Sequence, residues 1–96
     1  MALGYHPFVV DTHYFYLARC ADGSLYAGTC VDPRAREDLH NAGKGAKYTR
    51  SRRPVRMVHI ERHATLGEAR RREADVKRWT KKCKESLVDD GPGRGF

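Results

Sequence analysis

The chain has 96 residues, of which 19 are Lys or Arg and 12 are Asp or Glu, so that its formal net charge is +7. A chain of this length has room for one domain with one modest core, which excludes a second domain. The positive charge favours a polyanionic partner, and nucleic acid is the first candidate. A solubilising basic surface or attraction to lipid headgroups is the alternative.

Membrane and disulfide classes are disfavoured by the sequence. No segment is long and apolar enough to cross a bilayer, and the amino terminus lacks the pattern of a secretory signal. Cys20, Cys30 and Cys83 are odd in number and have no Cys-x-x-Cys spacing. We therefore expect a cytoplasmic, intracellular protein with three buried or half-buried thiols and no membrane partner.

Three short segments predict the strands of a small antiparallel sheet. His13–Cys20 and Leu25–Cys30 are aromatic and apolar and flank a turn, and Val55–Glu61 follows a proline as the third strand. His59 and His63 lie four apart where this third strand is expected to run into a loop, so no metal site is predicted there.

The turn between the first two strands decides whether Tyr16 and Tyr26 share a face of the sheet. A two-residue Asp22-Gly23 turn would put these side chains on opposite faces. A three-residue loop that includes Ala21, with Gly23 in the left-handed conformation, would bring them to one face. A site built from both tyrosines requires the three-residue loop.

A short helix is predicted over Pro33–Ala42. Asp32 is a suitable N-cap, proline is favoured at the first helical position, and Gly43 follows the predicted end. Arg36 and His40 are four residues apart on this helix, so their side chains stack on one face, where they can address a single phosphate. Alone, this spacing is also typical of a solvated helix face.

The densest basic stretch of the chain follows, between Gly43 and Pro54. Its cations are suited to phosphate contacts, its tyrosine to stacking on a base, and its glycines to a close approach of the backbone. A flexible solvated loop is the alternative interpretation. The candidate nucleic-acid-binding residues are Lys44, Lys47, Tyr48, Arg50, Arg52 and Arg53.

Thr65-Leu66-Gly67-Glu68 has the form of a capping box and opens a long helix predicted to run through Lys84 or beyond. Glu73 lies within the apolar stripe of this helix. An ionised carboxylate on a core-facing stripe costs several kcal/mol unless it is paired or binds a metal. An ion pair with Arg36 or another base is the alternative to a metal. The apolar stripe consists of Ala69, Val76, Trp79, Cys83 and Leu87.

Together these elements predict an α+β fold, a small three-stranded antiparallel sheet flanked by helices, over residues 13–88. We expect residues 1–12 to be poorly ordered. Residues 89–96 hold three of the nine glycines and are expected to form a disordered tail, because such a segment buries too little to offset its ordering entropy.

Taken in order, these motifs resemble those of the GIY-YIG nuclease family, specifically its small stand-alone single-domain members, over residues 13–88. Tyr14-Phe15-Tyr16 resembles the first signature without its glycine and isoleucine. Leu25-Tyr26-Ala27-Gly28 resembles the second, with Ala27 in place of isoleucine. Many members also have an asparagine a few turns after the catalytic glutamate, and none follows Glu73 here. The other matches are Arg36-x-x-x-His40-Asn41, Gly43-Lys44-Gly45-Ala46-Lys47-Tyr48-Thr49, Arg53-Pro54 and Glu73-x-x-x-Lys77.

The resemblance implies hydrolysis of DNA phosphodiester bonds with one divalent cation, Mg²⁺ or Mn²⁺, held by Glu73. A hard cation needs only one or two carboxylates, because it keeps several waters. Tyr16 or Tyr26 would be the general base, and we favour Tyr16 with Tyr26 assisting. An unperturbed phenol is a poor base at neutral pH, so nearby positive charge must lower its pKa. Arg36 would neutralise the scissile phosphate, and His40 would orient or activate a tyrosine.

Two other functions are compatible with the same sequence. The chain could be a non-catalytic basic module that binds nucleic acid, although binding alone does not require a carboxylate beside a phosphate. It could also be a nuclease subunit that depends on a protein partner in DNA repair or recombination. A short basic loop without a recognition helix or zinc finger favours single-stranded or structured DNA over duplex.

Overall fold

The computed structural model describes residues 12–90. In these residues three strands form one antiparallel sheet with the order β2-β1-β3, and helices flank it. The predicted α+β fold is confirmed. The strands are β1 (His13–Arg19), β2 (Leu25–Cys30) and β3 (Arg56–His63), and the helices are α1 (Pro33–Asn41), α2 (Lys47–Arg50), α3 (Leu66–Lys77) and α4 (Lys81–Asp90). No helix within residues 12–90 is long and apolar enough to span a membrane.

The register between β1 and β2 puts the two tyrosines on one face. Ala18 pairs with Tyr26, and Tyr16 pairs with Gly28. Because side chains alternate along a strand, Tyr16 and Ala18 point to the same side of the sheet. Tyr26 points to that side too, because directly paired residues share a face. The predicted shared face is therefore confirmed.

The loop that sets this register has three residues, Ala21 to Gly23. The Cys20 amide donates to the Ser24 carbonyl at 2.9 Å, which closes the ladder on both sides of the loop. Gly23 has a φ of +88°, in the left-handed region that a side chain disfavours. The Asp22 carboxylate accepts from the Ser24 amide at 3.0 Å and holds the turn. The two-residue alternative is excluded.

The two faces of the sheet pack against different elements. We call the side that carries Tyr16 and Tyr26 the tyrosine face, and the opposite side the α3 face. The buried core of the tyrosine face is Tyr16, Ala18, Cys20, Cys30, Val55, Met57 and Ile60. The buried core of the α3 face is Phe15, Leu17, Ala27, Val58, Val76 and Val88.

Strand β3 begins one residue later and ends two residues later than the predicted Val55–Glu61. Val55 pairs instead with the Asn41 side chain, whose oxygen accepts from the Val55 amide at 2.6 Å and whose nitrogen donates to the Val55 carbonyl at 2.8 Å. Glu37 accepts from the Met57 amide at 2.8 Å. Side chains of α1 thus satisfy backbone groups at the outer edge of the sheet, where a fourth strand is absent from the described fold.

The predicted single long helix is wrong, because α3 and α4 are separate helices. Helix α3 ends at Lys77, and the Thr80 hydroxyl accepts from the Cys83 amide at 3.2 Å, so that Thr80 caps the start of α4. Cys83 on α4 is exposed, although a buried or half-buried thiol was expected. Val76 on α3 is fully buried, as predicted. Helix α4 also extends two residues into the predicted tail. Residues 91–96 and all but Thr12 of the predicted N-terminal segment lie outside the described residues.

A cluster of charged groups joins α3 to β3 on the α3 face. The Glu61 carboxylate lies 2.8 Å from His59 Nε2 and 3.3 Å from His63 Nε2, and it accepts from Arg72 at 3.0 Å. Burial disfavours this carboxylate, but the hydrogen bonds from His59 and Arg72 outweigh burial and lower the pKa of Glu61 to about 2. Residues 12–90 contain no group of three side chains arranged as metal ligands. The two histidines flank a carboxylate whose ion-pair partner is Arg72.

Two glycines provide a matched test of this packing. A Cβ on Gly28 would lie 2.6 Å from the Tyr16 hydroxyl, whereas a Cβ on Gly67, in the first turn of α3, would meet nothing nearer than Thr65 Oγ1 at 3.9 Å. We expect Gly67→Ala to raise the free energy of unfolding by about 0.4–1 kcal/mol. Gly28→Ala should lower it by about 1–3 kcal/mol, because overpacking forces the ring to move. Urea denaturation measures both, and equal effects at the two sites would contradict the packing of Tyr16 on β2.

Candidate active site

A chain of buried hydrogen bonds joins β1, α1 and α2 on the tyrosine face. The Tyr16 hydroxyl lies 2.8 Å from His40 Nε2, and His40 Nδ1 lies 2.8 Å from Thr49 Oγ1. The Thr49 hydroxyl donates to the Ala46 carbonyl at 3.1 Å. Tyr16 and His40 are each 1% exposed and Thr49 is 0% exposed. These distances make a continuous polar chain through an otherwise apolar core.

Two glycines make room for the rings of this chain. Tyr16 lies across Gly28 of β2, and His40 lies so close to Gly45 that a Cβ there would overlap His40 Nδ1. Gly45 was expected to allow a close approach of nucleic acid. In the structure it allows the close approach of His40, while Gly43, with a φ of +79°, ends α1.

Tyr26 lies between the buried chain and the surface. Its half-buried ring meets the edge of His40 with centroids 5.4 Å apart, and it stacks on Tyr48 with centroids 6.0 Å apart. The Arg52 guanidinium lies 3.8 Å from the Tyr48 centroid. Tyr48 is therefore part of an aromatic and cationic cluster that begins at Tyr26 and reaches solvent.

The environment keeps both members of the Tyr16–His40 pair neutral. Burial and the neighbouring Tyr26 raise the pKa of Tyr16 well above its usual value, although Arg36 opposes that shift. Burial lowers the pKa of His40, and the positive charge of Arg36 lowers it further. Desolvation is the larger effect on the Tyr16 phenol, so its pKa is raised overall, although the positive charge of Arg36 acts in the expected downward direction. Tyr16 alone is a poor base, but its hydroxyl contacts a neutral imidazole.

Arg36 lines an open hollow at the end of β2. Its guanidinium donates to the Thr29 carbonyl at 3.2 Å, and it influences the ionisation of Tyr16. The hollow has a volume of about 380 Å³, and Arg70 of α3 also lines it. Two guanidinium groups at one opening favour the binding of an anion such as a phosphate.

Glu73 is on α3, with its side chain 20% exposed. Its carboxylate lies 2.8 Å from Lys77 Nζ, and this hydrogen bond raises the pKa of Lys77. The neighbouring turns of α3 line two hollows along β2: Arg70 shares one with Arg36, and Lys77 shares the other with Tyr26. Glu73 therefore lies between the two hollows, and its ion-pair partner is Lys77 and not Arg36.

The predicted nucleic-acid-binding residues divide into two groups. Lys44, Lys47 and Arg50 are exposed and form no ion pair within residues 12–90. Arg52 instead bonds to Asp22 at 3.1 Å and to the Tyr48 carbonyl at 2.7 Å.

Arg53 is also held by the protein. It donates to the carbonyls of Arg50 and Asn41 at 2.9 and 3.2 Å. The segment is not a flexible loop, because Lys47–Arg50 forms α2 and the two arginines fasten its end. Arg52 and Arg53 stabilise the segment, and the first group is left to contact a ligand.

Sequence reasoning assigned no role to Thr49 or Asn41, although both stand within the quoted motifs. Asn41 directly follows His40 and binds the Val55 backbone, and Thr49 bonds to the His40 ring. The available signal was chemical: a buried histidine needs partners for both ring nitrogens. Sequence spacing does not identify the residue that supplies the second partner.

Comparisons with known proteins agree with this geometry. The chain matches the GIY-YIG catalytic domain family over residues 12–86. A UPF0213 protein of Bacillus pumilus is 51% identical over 78 residues, covering 81% of this chain and 80% of the relative. A UPF0213 protein of Staphylococcus aureus is 44% identical over 81 residues, covering 84% of this chain and 99% of the relative.

Solved structures of similar proteins share the fold. The solution NMR structure of a UPF0213 protein from Bacillus halodurans has a TM-score of 0.54 at 43% identity, covering 84% of this chain and 88% of that one. The NMR structure of a protein from E. faecalis has a TM-score of 0.56 at 45% identity, covering 81% of this chain and 83% of that one. The match of the present chain to a catalytic domain suggests a nuclease, and this chain belongs to the GIY-YIG family.

Proposed function

We propose that this protein is an endonuclease that hydrolyses DNA phosphodiester bonds with the help of a divalent cation. The observation that carries the proposal is the buried Tyr16–His40 hydrogen bond beside Arg36. A neutral phenol held against a neutral imidazole is suited to proton transfer. A module that only binds nucleic acid gains nothing from burying such a pair, because phosphate contacts are made by exposed cations.

Tyr16 takes the proton of the attacking water in this proposal, and it does so as a relay. A phenolate is too costly at this buried position, because burial raises the pKa of Tyr16. The phenol oxygen accepts a proton from water while its own proton passes to His40 Nε2, 2.8 Å away. One O–H bond forms at Tyr16 as another breaks, so no phenolate accumulates. Tyr26, which is more exposed, orients the water.

Arg36 stabilises the negative charge that develops on the scissile phosphate. Its guanidinium opens into the hollow that Arg70 also lines, so the two side chains can hold two phosphate oxygens. We assign Arg36 to the reacting phosphate because of its influence on Tyr16, and Arg70 to the same or the adjacent phosphate.

Glu73 holds the cation in this proposal. Its carboxylate is partly exposed, lies between the two hollows and is held by Lys77 at 2.8 Å. A single carboxylate fits Mg²⁺ or Mn²⁺, which keep several waters as ligands. When bound, such a cation supplies charge neutralisation at the phosphate. Lys77 then has to release the carboxylate, and its ammonium group becomes available to the DNA.

The proposed substrate is single-stranded or structured DNA. The exposed cations Lys44, Lys47 and Arg50 extend the positive surface away from the hollows, and Tyr48 provides a partly exposed ring. This arrangement is typical of proteins that follow a phosphate backbone and stack bases. Such a substrate implies an intracellular, cytoplasmic and DNA-associated protein.

Replacing Glu73 tests the cation assignment. We expect Glu73→Gln to reduce Mn²⁺- or Mg²⁺-dependent cleavage of labelled DNA at least about 100-fold, with DNA affinity retained. The melting temperature should change little, because the pair with Lys77 is partly exposed and worth at most about 1 kcal/mol. The matched control is Glu68→Gln, an exposed carboxylate on the same helix. Full activity of the Glu73 variant, or cleavage that persists in a chelator, would sink the assignment.

The division of the basic residues predicts two different phenotypes. Replacing Lys44, Lys47 and Arg50 together by Gln should weaken the binding of single-stranded DNA. The slope of the logarithm of affinity against the logarithm of salt concentration should become shallower by about two. Replacing Arg62, Arg71 and Lys82, which are exposed elsewhere, removes the same charge and is the control. Arg52→Gln should mainly lower stability, because this side chain fastens the segment. Equal salt slopes for the two triple variants would place the DNA on another surface.

A further inference from the structure

Thr49 is a fully buried polar residue at the inner end of the hydrogen-bond chain. We propose that Thr49 is a positioning residue that fixes His40 as the tautomer with its proton on Nδ1, which leaves Nε2 to accept the Tyr16 proton. The consequence for cleavage rests on the proposed function. The tautomer itself follows from the hydrogen bonds alone.

The Thr49 hydroxyl has a single proton to donate. That hydroxyl donates to the Ala46 carbonyl, 3.1 Å away. Its proton is then not available to His40, and the Thr49 oxygen must accept at the 2.8 Å contact with Nδ1. A hydroxyl has one donor and two acceptor sites, so both bonds are satisfied at once. The proton of the neutral imidazole is therefore on Nδ1.

Tyr16, at the other end of this hydrogen-bond chain, favours the same tautomer through a contact that does not involve Thr49. Tyr16 is 1% exposed, and His40 Nε2 is the acceptor within hydrogen-bond distance of its hydroxyl among the described residues. Arg36, which also lies close, carries only donors. If Nε2 carried the proton, the phenol O–H would be left buried without an acceptor, which costs about 1–3 kcal/mol. Both ends thus favour the same tautomer, and removing the Thr49 contact takes away one of the two interactions that stabilise it.

Other contacts fix the position of the imidazole ring. Thr49 therefore influences which ring nitrogen carries the proton, and not where the ring lies. His40 lies against Gly45 and meets the edge of Tyr26 at a centroid distance of 5.4 Å. Its neutral form is favoured because burial and Arg36 lower its pKa. During proton transfer Nε2 gains the Tyr16 proton, Nδ1 keeps its own, and the Thr49 oxygen continues to accept from the imidazolium.

The spectroscopic test uses the full chain labelled with ¹⁵N at histidine. Long-range ¹H–¹⁵N correlation spectra distinguish a protonated from an unprotonated ring nitrogen, and His40→Gln identifies the His40 signals among those of the five histidines. We expect a protonated Nδ1 and an unprotonated Nε2 in the wild type. Thr49→Val should shift His40 toward the other tautomer, whereas Thr49→Ser should preserve the wild-type pattern. A protonated Nε2 in the wild type, or an unchanged tautomer in Thr49→Val, would overturn the proposal.

The kinetic test is made on the same preparations. Thr49→Val should lower kcat for DNA cleavage about 10- to 100-fold with little change in KM, and Thr49→Ser should restore it to within a few-fold of the wild type. A valine variant with wild-type kcat would contradict the positioning role. If the valine variant does not fold, the wild-type and serine spectra still decide the tautomer. The predicted tautomer in a wild-type protein that cuts no DNA would refute the proposed function and leave the assignment of Thr49 supported.

Discussion

The arrangement of the tyrosine face follows from the burial of one phenol. The Tyr16 ring lies across Gly28, and the residue is only 1% exposed, so its hydroxyl sits in a largely buried environment. A buried hydroxyl without a partner costs free energy, so the fold must bring an acceptor to it. That acceptor is His40, and its second nitrogen requires Thr49 in turn. One buried group thus fixes how α1 and α2 sit on the sheet.

Helix α1 can serve this purpose because it is held at its end as well as on its face. A nine-residue helix has little stability of its own, so its position comes from tertiary contacts. Asn41 and Glu37 bond to the backbone of residues 55 and 57, while His40 points to the sheet. The same contacts satisfy the outer edge next to β3. The Asn41 contact therefore holds the end of α1 beside His40, whose ring meets Tyr16.

Local rules predicted the parts of the structure that depend on nearby residues. Asp32, Pro33 and Gly43 marked the limits of α1. Local rules allowed both a two-residue and a three-residue hairpin loop, and only the requirement that Tyr16 and Tyr26 share a face favoured the three-residue loop that the structure has. The long helix failed because the apolar stripe keeps its 3.6-residue period across the break, while the break depends on the Thr80 cap. The partner of Glu73 and the role of Thr49 depend on residues brought together by the fold. Sequence spacing carries no information about those contacts.

The two faces of the sheet solve the problem of buried polar groups in opposite ways. On the α3 face Glu61 is ionised and paired with Arg72, which locks a helix in place. On the tyrosine face the fully buried side chains of Tyr16, His40 and Thr49 are neutral, and Arg36, Arg70 and the Glu73–Lys77 pair lie at the rim. In the proposed relay, such a neutral interior lets a proton move from Tyr16 to His40, because no fixed counter-ion holds it. In the proposed nuclease, the cations of this rim would face the DNA phosphates, and Glu73 would exchange its pairing with Lys77 for the metal ion.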